Sequence, residues 1–153
     1  MKLSGQFRFE HFRAGMLLED RSVRNLIVNT GFAGVSGLII QTGSTSPFAY
    51  LAIGTGTQAA ASTDVALQTE LTTGGGARAL ATLSRVTTDV TNDTAQLVKT
   101  FTFTTTGTYA VSEAAVFNAV TTSSGTMLCR QTFTPISVVS ADTLQITYKL
   151  DLD

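Results

Sequence analysis

The sequence predicts a mainly β protein: an antiparallel β-sandwich with an N-terminal hairpin and one or two short helices. Three observations lead there. Threonine, which is β-branched yet can face water through its hydroxyl, is the commonest residue. Polar turn signals recur at short intervals between half-apolar runs. The last run alternates cleanly, with Leu144, Ile146, Tyr148, Leu150 and Leu152 set against Thr143, Gln145, Thr147, Lys149 and Asp151.

Taken in order, Gln6 to Arg13 alternates Phe7 and Phe9 with Arg8 and Glu10, and Ala14-Gly15 signals a turn. Met16 to Arg24 resumes an extended pattern, so residues 1–24 read as a hairpin arm docked on a sandwich of residues 25–153. Phe and Arg are enriched at interfaces, which makes Phe7, Arg8, Phe9, Phe12 and Arg13 a candidate protein-contact surface. A hairpin that simply closes one end of the core is the plainer reading. After the apolar run Asn25–Val28, Asn29-Thr30 offers an N-cap to a short helix carrying Phe32, Val35, Leu38 and Ile39 at helical spacing. Glycines 31, 34 and 37 weaken that helix by up to ~1 kcal/mol each. They also let it lie close to a sheet or to a neighbouring subunit.

Gln41 to Pro47 is a loop, and Tyr50–Ile53 is a strand ending in Gly54-Thr55-Gly56-Thr57. Ser62-Thr63-Asp64 then opens a short amphipathic helical piece with Val65, Leu67 and Leu71, closed by Glu70. Thr72–Gly76 is a second loop. Ala77–Val90 pairs with Ala95–Thr105 through a polar turn, and Leu97, Phe101 and Phe103 share a face. In Thr108–Val120, Tyr109, Val111, Glu113, Ala115 and Phe117 point one way, and Met127, Cys129 and Phe133 align in Thr126–Thr134. Pro135 demotes the residues after it to an edge or crossover.

With 153 residues the chain fits one domain able to bury a core without disulfides. Charged residues are only 14%, against a usual quarter, and hydrophobic residues reach 43%. Neutral polar surfaces of this kind suit protein–protein contact, since few charges need be desolvated. A net charge of −1 gives no electrostatic footprint for nucleic acid. Arg8, Arg13, Arg21 and Arg24 alternate with Glu10, Glu19 and Asp20, which reads as paired charges. One cysteine, Cys129, excludes an internal disulfide. No secretion signal and no run of membrane-spanning length is present, so the expected place of synthesis is a cytoplasm.

The motifs do not compose a catalytic site. Gly54 to Ala59 matches G-x-G-x-x-A after a strand, and Glu70 lies near the distance of a ribose-binding acid. A dinucleotide fingerprint must open its helix at once, however, and here Ala60, Ala61 and Ser62 intervene. Gly54 and Gly56 therefore read as a structural turn. His11 is the only histidine and has no nucleophile motif beside it, so no catalytic residue and no cofactor are expected. One His and one Cys cannot build a zinc site, and Asp89, Asn92 and Asp93 miss the calcium-loop spacing and suit an Asx turn. Glu113 sits among apolar neighbours and must be paired, with Arg78, Arg130, Thr hydroxyls or backbone amides as candidates. It reads as a structural anchor, as does Glu70. Sugar binding has no tryptophan to rest on.

The series Asn25–Gly31, Ala52–Thr57, Thr63–Leu67 with Glu70, Arg78, Glu113–Phe117, Gly125–Phe133 and Asp142–Tyr148 resembles small structural proteins of tailed bacteriophages. These include tail-fibre attachment modules and minor virion proteins. The resemblance covers roughly residues 25–152. It implies no enzymatic activity, a place in the virion after synthesis in the host cytoplasm, and partners that are other virion proteins and copies of the chain itself, as a trimer. It implies neither nucleic acid nor membrane as a partner. A fibre would continue beyond its module, whereas this sequence stops at Asp153, which leads to the expectation of a free-standing part. The resemblance to fibre-attachment modules implies a tail adaptor or tip part. A capsid decoration (cement) protein and a sugar- or host-receptor-binding module are the alternatives.

Overall fold

The computed structural model describes residues 2–43 and 46–152. Met1, Asp153, and Ser44 and Thr45 within the loop expected at Gln41–Pro47 lie outside the described residues. The chain runs through β1 (Leu3–Arg13), β2 (Met16–Arg24), β3 (Leu26–Ile27), α1 (Asn29–Ile40), β4 (Tyr50–Gly54) and β5 (Ala79–Leu80). It continues through β6 (Thr82–Val86), β7 (Thr94–Thr102), β8 (Tyr109–Phe117), β9 (Met127–Val138) and β10 (Thr143–Leu152). These strands make two antiparallel five-stranded sheets, ordered β2-β1-β10-β7-β6 and β3-β9-β8-β4-β5. The fold is the expected β-sandwich.

The hairpin forms as its sequence dictates. Ala14 and Gly15 both take positive φ, 49° and 78°, as a two-residue primed turn requires, and Arg13 pairs with Met16 across it. Its position differs from expectation. It is no arm on the surface: β1 pairs with β10 from Leu3↔Leu152 to Phe12↔Thr143 and so lies inside the first sheet. Phe7 and Phe9 have no exposed surface and pack into the core, Phe7 against Tyr148 and Phe9 against Phe133. They cannot form the contact surface read from the sequence, because strand alternation turns them inward while Arg8 and Glu10 turn outward.

The arginines beside them are occupied within the chain. Arg8 binds Asp20 at 2.8 and 2.9 Å and Glu10 at 3.0 Å. Arg13 makes two 2.8 Å bonds to Asp142. Asp142 is buried and also lies 2.9 Å from His11 Nε2. It accepts the Val139 amide as well, and the Arg13 guanidinium holds its carboxyl well below the usual carboxylate range. His11 is therefore a clamp between β1 and the turn before β10. Of the proposed contact residues only Phe12, half-buried, and the two arginines reach the surface.

Inside the sandwich, Phe101, Leu144, Ile146 and Tyr148 of the first sheet, with Phe103 just beyond β7, meet Leu51, Ile53, Val111, Ala114 and Val116 of the second. A smaller cluster, Val28, Ala52, Leu67, Ala115, Phe117 and Met127, lies on the far side of the second sheet. Both faces of β8 are thus covered, which explains its unbroken apolar run. A register shift between Val111 and Glu113 changes the phase of the strand, so the single face expected for Tyr109 through Phe117 does not exist. Val111 faces the main core, whereas Ala115 and Phe117 face the outer cluster. A second shift, between Val116 and Phe117, separates Met127 from Cys129 in the same way.

Pro135 does not end its strand. β9 continues to Val138, with Ile136 paired to Val111, and Pro135 falls in the interval where the ladder already slips. A residue without an N–H fits there because no ladder bond is asked of it. The N-cap of α1 is Val28, one residue before the expected Asn29-Thr30, and it makes no side-chain capping bond. Asn29 instead gives its amide to the Ser62 carbonyl at 2.8 Å. The second short helix, after Ser62, is absent, and that segment is an irregular loop.

Because β1 is an interior strand, deleting residues 2–24 is expected to abolish folding rather than leave a core, and Phe9→Ala should cost about 3–5 kcal/mol. Circular dichroism and urea unfolding read both. A cooperative melt in the truncated chain would contradict this placement.

Candidate functional site

Among the described residues, the assembly of buried charge beyond the Asp142 clamp lies between the second sheet and the 55–71 loop. Glu113 has no exposed surface. Its Oε1 accepts the amides of Gly56 at 3.0 Å and Thr69 at 2.7 Å. Its Oε2 accepts the Gln68 amide at 3.0 Å and two bonds from Arg130, at 3.0 Å from Nε and 2.8 Å from Nη2. The fork of Arg130 is then completed by Asp64 at 2.8 Å and the Gln58 carbonyl at 3.0 Å. Of the two arginines considered for Glu113, Arg130 is the partner, and backbone amides supply the rest.

Arg78 takes the other carboxylate. It makes a two-pronged pair with Glu70, at 2.9 and 2.7 Å, and donates to the carbonyls of Ala119 and Thr121 at 3.1 Å. Its guanidinium carbon sits 3.5 Å from the centre of the Phe117 ring. Glu70 closes no helix; it bridges to Gly54 in a single antiparallel step. The two pairs pin the loop at both ends, and Leu67 between them seals the outer cluster.

The glycines are explained by close approach. A Cβ on Gly56 would stand 2.5 Å from Glu113 Oε1, and one on Gly54 would meet the same oxygen at 2.5 Å. Neither glycine serves a dinucleotide. The amides that a pyrophosphate would need are bonded already, Gly56 to Glu113 and those of Thr57 and Gln58 to Gln68 Oε1 at 2.9 Å. Asp64 likewise is no helix cap; its Oδ2 accepts the Ala61 amide and the Arg130 donor. These bonds are why the segment curls into a loop instead of a helix.

Chemically the arrangement holds rather than reacts. Glu113 lies beyond a substrate's reach, and its lone pairs are taken by five donors. At the far hairpin, Asp93 collects the amides of Thr88, Asp89 and Val90, the Asx chemistry expected there, and Asn92 takes φ 63°. Among the described residues no group of three or more His, Cys, Asp or Glu side chains is placed to hold a metal ion. Burial pushes the Cys129 thiol up to about 12.

Sequence reasoning found Gly54, Gly56, Glu70, Glu113 and the two arginines, and missed Asp64, Gln68 and Asp142. A short polar side chain beside small residues was the available signal for Asp64. Nothing local marks Gln68, whose role depends on the loop folding back. No protein-family model, curated protein or solved structure matches the chain.

Truncating Glu113 strands the Arg130 charge in the interior, so Glu113→Ala is expected to cost about 3–5 kcal/mol. Gly56→Ala should destabilise in the same direction by pushing the carboxylate aside. Urea unfolding of both variants is the measurement, and wild-type midpoints for both would refute the anchoring role.

Proposed function

We propose that the chain is a non-enzymatic structural component of a tailed bacteriophage virion, placed on the tail as an adaptor, fibre-attachment or tip part and assembled as a symmetric oligomer, a trimer. The observation that carries this reading is spatial. The separate stretches behind the sequence resemblance, from Ala52–Thr57 through Glu70, Arg78 and Glu113–Phe117 to Arg130, converge on one frame of buried ion pairs. Weak motifs scattered along a chain become one unit when each supplies part of the same arrangement. That unit carries a neutral loop with its backbone already fixed, so little ordering entropy opposes docking to a neighbour.

Purified virions of the phage encoding the chain provide the test, by mass spectrometry and gold-labelled antibody in electron microscopy. The expected result is the intact polypeptide in particles with label on the tail. Label on the capsid would move the protein to decoration, and absence from particles would refute the virion role.

A further inference from the structure

We propose that the surface formed by α1, the loop over residues 55–69 and the adjoining turn over 120–125 is the seat of a second copy of this chain. The inference rests on the symmetric-oligomer part of the preceding proposal and assigns its interface.

The helix is built the wrong way round for a monomer. Its small residues face inward, where a Cβ on Gly31 would collide with the Leu128 carbonyl and one on Gly34 would stand 2.6 Å from the Phe48 ring. Of its five large apolar residues, Val35 and Leu38 are half-buried, Val35 against the main core, while Phe32, Ile39 and Ile40 face outward and are 51, 67 and 65% exposed. The helix has no acidic residue in its first turn and no basic one in its last, and none of its twelve residues is charged. A surface helix ordinarily turns such a stripe to the core and a charged face to water.

The surroundings share this character. Residues 25–80 and 103–138, which build the second sheet, the helix and the loop, contain five charged residues: Asp64, Glu70, Arg78, Glu113 and Arg130. All five are consumed in pairs with one another. The patch is continuous, because Ser62 of the loop bonds the first turn of α1, while Val65 and Ala66 line one groove with the turn at Thr122–Gly125. Exposed Val65 and Val120 add apolar area. Lys2 and Arg24 appear at the rim, in the groove beside Phe32. An apolar centre with a charged rim is the anatomy of a protein interface.

Charge and size select the occupant. About a two-fold axis a patch meets its own copy, and beside a three-fold axis like residues also converge, so a fixed charge near either axis faces its like and a charge-free patch avoids that repulsion. A charged partner, by contrast, would find no complementary group here. Roughly twenty residues of the three segments are exposed, close to the 20–30 per side that a standard interface uses.

Light scattering of the purified full-length chain over a range of concentrations tests the assignment. The wild type is expected at a multiple of its 16.1 kDa mass. Ile39→Glu and Ser36→Arg, both at exposed helix positions, should weaken association by at least about tenfold. Lys149→Glu, an exposed change on the first sheet, should leave it unaltered. Circular dichroism checks that each variant is folded, and the two helix sites guard against a single misfolding variant. A wild type that is monomeric throughout, including one that uses this face only for a different virion protein, would overturn the proposal. So would folded helix variants of wild-type mass. An oligomer that these variants dissociate but that is missing from particles would sink the virion reading and keep the interface.

Discussion

A carboxylate with no exposed surface, held by three loop amides and one guanidinium, is the interaction on which the rest of the second sheet depends. Glu113 enters the outer layer because the slip in register after Val111 turns it away from the main core. Arg130 on the neighbouring strand neutralises it. A buried pair of this kind is weak evidence for net stability, since well-packed apolar side chains of like volume often do as well. Its effect is geometric. An apolar substitute could fill the volume, but it could not accept the amides of Gly56, Gln68 and Thr69 and so could not set the path of the loop.

That path explains the layering. The loop covers the outer face of the second sheet, where its Leu67, with Val28, packs on Ala52, Ala115, Phe117 and Met127. Sheet strands buried on both sides read as continuous apolar runs rather than alternating ones. The first sheet has no such cover, and β10 shows the clean alternation of a strand wet on one face. Charge divides along the same line. The first sheet carries exposed ions, while those of the second are turned inward and paired.

This division sets how much the sequence could tell. Hairpin turns, the terminal strand and the helix were legible because each depends on neighbours along the chain: Ala14-Gly15 for the turn, Leu144 through Leu150 for the strand. The need to pair Glu113 was legible too, because a carboxylate among apolar residues must be satisfied whatever the fold. The orientation of Phe7 and Phe9 was not, since composition alone cannot say which face of a strand meets the core. The irregular loop after Ser62 was misread as helix because its amides at Gln68 and Thr69 are claimed by Glu113, a group distant in sequence. Pro135 was misread because the slip that accommodates it exists only once β9 is paired with β8, which the local sequence does not show.

Native-state hydrogen exchange at the amides of Gly56, Gln68 and Thr69 measures the central constraint directly. If Glu113 fixes the loop, these three amides exchange only through the global unfolding that also releases the strand β8, despite lying outside any strand or helix. Exchange as fast as in the exposed turn at Thr106–Thr108 would show that the loop opens by itself, and the carboxylate could not then be what holds it.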